Sequence, residues 1–135
     1  MSKKEYYELF DEIMENIREF YPYSITVFED IKVEYGIDLI YRYKQQQLVY
    51  NECISGTAST ILAGVLSGLK IQNLSFKDIT KMKFFIVGVG NVGMGIVYNL
   101  SLLLRKYGLD KDEINKKFFL FDIDGFVTTK RQNLS

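Results

Sequence analysis

The sequence contains no histidine and no tryptophan, one cysteine and one proline in 135 residues. Each scarcity removes a class of function. A single cysteine, Cys53, leaves no internal disulfide and no thiolate-rich zinc site. Without histidine, proton transfer near pH 7 falls to a Lys, Asp, Glu or Cys of shifted pKa. No arginine-rich stripe occurs, and 17 basic residues balance 17 acidic ones, so nucleic acid is not an expected partner. No apolar run of roughly eighteen residues stands out, so no membrane span is expected. The start, MSKKEYYELFDE, has neither the apolar core of a secretory signal nor the arginine-rich face of a transit peptide. A soluble, cytoplasmic protein is the expectation.

What is present suffices for a core. Hydrophobic residues make up 47% of the chain and aromatics 15%, too many for a disordered segment. The length gives room for about one domain. The zero net charge hides an asymmetry: residues 1–30 carry eight acids and three bases, and the remainder carries nine and fourteen.

Periodicity sketches an α/β chain. Tyr6, Leu9, Phe10, Ile13, Met14, Ile17 and Phe20 recur at steps of three and four, which predicts an amphipathic helix over 5–20 closed by Pro22. The β-branched run at 24–28 predicts a strand ending at Glu29 and Asp30, and 48–50 a second. A short helix is expected over 36–44 and a longer one over 57–69, whose glycines at 64 and 68 call for close packing. Residues 71–82 read as a polar connection. A strand at 83–87, a helix near 91–107, a polar loop and a strand within 116–125 complete the pattern.

Gly88, Gly90 and Gly93 fit G-x-G-x-x-G between an apolar strand and a helix. The first glycine makes the tight turn, the second lets pyrophosphate approach the backbone, and the third lets helix and strand pack. Asn91 and Val92 open the helix, whose dipole and amides favour phosphate charge. An acid at the end of the next strand should hold the adenosine ribose. Asp122 is there, 34 positions after Gly88 where about twenty is usual. Its carboxylate favours NAD over NADP, although Lys130 or Arg131 could weaken the preference. A glycine packing turn without a ligand is the alternative.

Taken in order, SITVFEDI at 24–31, LVYNECISGTASTILAGVLSGLKI at 48–71, FFIVGVGNVGMGI at 84–96 and FFLFDIDGFV at 118–127 resemble the malic enzymes, the decarboxylating malate dehydrogenases. The resemblance covers nearly the whole chain. It implies a partial Rossmann-type parallel sheet with flanking helices, preceded by an amphipathic helix. Residues 1–55 would be a remnant of the substrate and metal-site region, and 56–135 part of the NAD-binding domain. The family reaction it implies is oxidation of malate with NAD or NADP and loss of CO₂ to give pyruvate. A Mg or Mn ion there polarises the substrate oxygen and stabilises the enolate.

Residue by residue, the resemblance assigns Glu29 and Asp30 to metal-binding acids. The third metal acid belongs to a stretch usually written FNDDIQGTA, which here is YNECISGTA, so Cys53 stands at the ligand position. A thiol is a poor ligand for magnesium, and metal binding is doubtful. Gly56 and Thr57 resemble the family's cofactor-side helix start, Gly95 a further glycine of the cofactor turn, and Asp122 the ribose acid. Ile123 and Asp124 stand where a serine or alanine and a lysine are more usual. The family's general-base lysine, acid tyrosine and malate-binding arginine belong to a region before the matched segment, so no residue here is assigned a catalytic role and the chain is not expected to be catalytic alone.

Parallel strands need helices on both faces. Tyr41, Tyr43, Phe84, Phe85, Phe118, Phe119 and Phe121 exceed what so small a sheet can cover. Self-association, or a complementary malic-enzyme chain as in a split enzyme, would relieve the open edge. A non-enzymatic interaction module using that edge is the other reading.

Overall fold

A computed structural model describes residues 1–131. The chain divides into two compact units, Met1–Glu52 and Cys53–Ser135.

In the first unit, helix α1 (Lys3–Phe20) starts where Ser2 and Glu5 cap each other reciprocally, satisfying two otherwise unpaired amides. Strand β1 (Ile25–Phe28), helix α2 (Val33–Tyr43) and strand β2 (Leu48–Asn51) form a βαβ unit. The strands pair in parallel, Ile25 opposite Leu48 and Phe28 opposite Asn51. Met14, Phe28, Leu39 and Tyr43 are buried as its core, with the Tyr6 and Tyr35 rings stacked 4.3 Å apart at the edge. Burying a side chain such as Leu39 is worth about 1.5–3 kcal/mol. Asp11 binds the Arg42 guanidinium through both oxygens and accepts the Tyr43 hydroxyl at 2.8 Å. Burial and the Asp11 contact push the Tyr43 hydroxyl up to about 12. Tyr43 is thus a core residue rather than uncovered aromatic mass, whereas Tyr41 is exposed. On the other side of the sheet Ile25, Val27, Leu48 and Tyr50 are exposed.

A π-helical turn, Glu52–Thr57, begins at the boundary between the units and runs into α3 (Ala58–Ile71). A 3₁₀ turn (Phe76–Lys81), β3 (Phe84–Val87), α4 (Asn91–Lys106), a short α5 (Lys111–Asn115), β4 (Phe118–Asp122) and β5 (Gly125–Phe126) follow. Strands β3 and β4 are parallel, Phe84 beside Phe118 and Val87 beside Phe121. β5 folds back antiparallel on β4, so the three-stranded sheet is mixed. Leu69, Ile79, Leu100, Leu104 and Ile114 form the core, against which Leu62, Val65, Leu66, Phe84 and Phe118 pack. The polar connection after α3 therefore carries a core residue. Ser75 and Asp78 cap the 3₁₀ turn and drive Ile79 to full burial. The polar loop before β4 is likewise helical, because Asp110 and Glu113 form a capping box over Lys111–Asn115.

Among the described residues of this unit, one face of the sheet packs on its core. Phe84 and Ile86 point into the core side, while Phe85 and Val87 alternate outward and are exposed. The rings of Phe85 and Phe119 stack at 4.8 Å, and that of Phe126 joins them at 6.3 Å from Phe119.

One expectation is corrected. Among the described residues the helical stretch Glu52–Ile71 is long and apolar enough to cross a membrane by length and composition. Small uncharged polar residues within it (Ser55, Thr57, Ser59, Thr60) hide that character, and only Glu52 and Lys70 are charged. Leu62, Val65, Leu66 and Leu69 of this stretch pack in the core cluster of their own unit, while most of its other residues are half-buried or exposed.

Candidate functional site

The glycine turn is a strand-to-helix elbow. β3 ends at Val87 and α4 begins at Asn91. Gly88 has φ +106°, a conformation that side chains resist, and a Cβ there would meet nothing within 4 Å. Its amide donates to the Phe121 carbonyl at 2.7 Å, tying the elbow to the end of β4. Gly90 occupies the N-cap of α4 and has no side chain to cap the helix. Gly93 is buried, and a Cβ on it would stand 1.9 Å from the Gly88 carbonyl oxygen and 3.4 Å from Ile86 Cγ2. Asn91 is buried and Val92 half-buried in the first turn.

Asp122 sits one residue beyond Phe121, which pairs with Val87. Elbow and acid therefore meet at the carboxyl end of the two parallel strands, the place where open α/β sheets bind ligands. The Asp122 carboxylate is not solitary. Its Oδ1 accepts Arg131 Nη1 at 2.8 Å and the Asp124 amide at 2.8 Å. Arg131 Nη2 reaches Asp124 Oδ2 at 2.9 Å. The Arg131 hydrogen bond holds the Asp122 carboxyl below the usual carboxylate range, so it is ionised at neutral pH. The shape of this corner fits a dinucleotide. A left-handed glycine, a helix start without a side chain, and a glycine forced by backbone contact are the features a pyrophosphate-binding turn requires.

Gly56, Thr57 and Gly95 lie around the contact between the π turn and α4. Thr57 is the N-cap of α3, which begins at Ala58, directly after the π turn that contains Gly56. The π turn starts at Glu52, so Thr57 is already in helical backbone, without a side-chain cap. Gly95 lies inside α4, where a Cβ would stand 2.2 Å from the Ile54 carbonyl oxygen and 3.0 Å from Ala58 Cβ. Its smallness serves the packing of α4 on the π turn. The spacing of small residues at 93 and 95 held the signal, but nothing in sequence said which carbonyl they would meet.

Glu29 and Asp30 are exposed at the end of β1 in the first unit, Asp30 with φ +51°. Cys53 is half-buried in the π turn of the second. Among the described residues no three His, Cys, Asp or Glu side chains group closely enough to hold a metal ion. With a thiol at the third position, the donor set does not fit a hard divalent cation.

Comparison with known proteins agrees with this geometry. Residues 54–135 match the family model described as malic enzyme, NAD binding domain. The chain is 33% identical over 132 residues to the mitochondrial NAD-dependent malic enzyme 2 of Arabidopsis thaliana, covering 97% of this chain and 22% of that protein. It is 36% identical over 132 residues to the chloroplastic NADP-dependent malic enzyme of Flaveria pringlei, covering 96% and 20%. The mitochondrial NAD-dependent malic enzyme of Solanum tuberosum is 29% identical over 135 residues, with 97% and 22% covered. The chain thus spans about a fifth of the length of these relatives. The cytoplasmic expectation is overturned, since these relatives are mitochondrial or chloroplastic by name. With both NAD- and NADP-dependent proteins among them, dinucleotide binding is what the relatives share. A family match over more than half of the chain, on a Rossmann-like elbow, places this protein in the malic enzyme family.

Proposed function

We propose that this chain binds a nicotinamide dinucleotide at the Gly88–Gly93 elbow, NAD in preference to NADP, and that it does not oxidise malate alone. The elbow carries the reading: Gly88 and Gly90 bare the backbone, Gly93 seats α4 against it, and the helix dipole adds positive potential at the turn. Asp122 accepts the adenosine ribose hydroxyls and disfavours a 2′-phosphate by charge. When bound, the cofactor supplies a hydride acceptor. This chain's groups bind and orient it, and among the described residues we assign none as a base or acid for malate. Lys81 pairs with Asp78 at 2.6 Å, and the exposed Lys83 leans over the Phe119 ring. The family reaction, oxidative decarboxylation of malate to pyruvate, would need groups from elsewhere.

Titrating the purified chain with NAD in a calorimeter tests this. Saturable one-to-one binding without NADH formation on adding malate and Mn²⁺ supports it. Malate-dependent NADH formation, or no heat at millimolar NAD, would sink it.

The uncovered sheet face favours a second reading. Phe85 and Val87 are 63% and 85% exposed, although parallel strands are ordinarily buried on both faces. A complementary malic-enzyme chain that lays a helix on this face would complete the sheet and act as the other part of a split enzyme. Self-association, or a purely interacting role, are the competing outcomes of a sedimentation experiment with and without such a chain.

A further inference from the structure

We infer that Tyr6 and Tyr35 form an oxidative cross-linking site, at which a one-electron oxidant joins their rings as dityrosine and staples α1 to α2. Both residues lie in the first unit, so the inference is independent of the dinucleotide reading. The rings are stacked, with centroids 4.3 Å apart and 24° between their planes. At that separation carbon atoms of the two rings are in van der Waals contact, so two phenoxyl radicals formed there couple without diffusing. Both residues are half-buried, held in place by their neighbours yet open to an oxidant in solution.

The surroundings single out this pair. Tyr7 meets Tyr6 and Tyr35 edge-on, at 6.2 Å and 79° and at 5.7 Å and 77°. Its hydroxyl donates to Asp38 Oδ2 at 2.9 Å. Tyr43, deeper in the same core, is committed to Asp11. Phe10, 4.9 Å from Tyr6, has no phenolic hydrogen to lose. Tyr21, Tyr23, Tyr41 and Tyr98 are exposed, and no tyrosine ring lies against them among the described residues.

Each phenol gives one electron to the oxidant, a ferryl haem or a similar one-electron acceptor, and its hydroxyl proton to water. The unpaired electron of a phenoxyl is shared with the ring carbons ortho to oxygen, and a carbon–carbon bond forms between one such carbon of each ring. The hydrogens on those two carbons then move to the oxygens through solvent and restore both phenols. Two electrons and two protons have left, and the chain is lighter by two hydrogen atoms. A bond between separate elements restricts the unfolded chain, as a disulfide does, and so raises stability. With one cysteine the chain has no internal disulfide of its own. Helix α1 is otherwise tied by the side chains of its core face and by the Asp11–Arg42 pair.

Treatment of the full chain with a haem peroxidase and hydrogen peroxide at low protein concentration tests the inference. The product is reduced to open any disulfide of Cys53, digested, and mapped by tandem mass spectrometry. The expected product is a monomer two hydrogens lighter, with Tyr6 joined to Tyr35 and a raised melting temperature. Tyr6→Phe and Tyr35→Phe keep the stacked rings without the phenol, so each should abolish this product, while Tyr7→Phe should retain it. An undiminished yield in Tyr35→Phe, or links confined to the exposed tyrosines, would overturn the site. An equal yield from the urea-unfolded chain would overturn the part played by the stack, and an unshifted melting temperature would overturn the staple.

Discussion

Gly95 and Ile54 touch so closely that the missing Cβ of one would lie 2.2 Å from the carbonyl oxygen of the other. This contact joins the N-terminal part of α4 to the π turn ahead of α3, and so fixes how the helix that begins at the glycine elbow is seated.

Adding one methyl at Gly95 should therefore destabilise the second unit. The obstacle is backbone, which cannot rotate aside as a flexible side chain would. Overpacking of this kind costs about 1–3 kcal/mol, or a melting temperature lower by several degrees for a unit of this size. Gly93→Ala should behave similarly, with the Gly88 carbonyl 1.9 Å away. Gly88→Ala meets no atom and should cost only the strain of its positive φ, of order 1–3 kcal/mol. Thermal melts monitored by circular dichroism check all three, and a harmless Gly95→Ala would refute the packing role.

At Gly90 binding and stability should separate. It caps α4 in extended backbone with φ −73°, which any residue adopts. Gly90→Leu should keep the melting temperature within a few degrees and abolish the heat of NAD binding, because the side chain fills the approach to the turn. Unchanged binding heat would mean that the pyrophosphate lies elsewhere.

Ile79 should prove the most sensitive position in the connection after α3. It is fully buried within a turn that looks polar in sequence. Ile79→Ala should cost about 2–5 kcal/mol as a cavity substitution, whereas exposed Lys77→Ala beside it should cost nearly nothing. Urea unfolding of the two variants gives the comparison.

Acid should loosen the same turn. Lys81 and the Ser75 hydroxyl and amide hold the Asp78 carboxyl down to about 2, and Arg131 depresses that of Asp122. Folded-state values below the unfolded ones mean stability that is complete above about pH 5 and is lost as pH falls through the native values. Melting temperature should thus be flat from pH 7 to 5 and drop between about 4 and 2. Asp78→Asn should lower the plateau and flatten the drop. A variant curve parallel to that of the wild type would dismiss Asp78 as a contributor.

Much of this was legible in the sequence. The strand at 84–87, the elbow and the acid at 122 were marked by an apolar run, three glycines and a carboxylate, each with a local physical cause. The hairpin to Gly125 was not legible, because two residues of strand carry no period. The turn around Ile79 was missed because one isoleucine among Lys, Asp and Thr gives no periodic signal, while its burial depends on a cap and on Leu69 and Leu104 arriving from other elements. Glu29, Asp30 and Cys53 line up with a motif, and the first two belong to one compact unit while Cys53 belongs to the other.

The sequence by itself determined the alternation of helices and strands, the family and the place of the glycine turn, since each is written in neighbouring residues. Only the tertiary structure decided that Gly95 packs on a carbonyl, that Ile79 is core, and that Asp122 shares its charge with Arg131. These are contacts between residues far apart along the chain or turned toward each other by a hairpin. A linear pattern records which side chains are available and leaves open which of them meet.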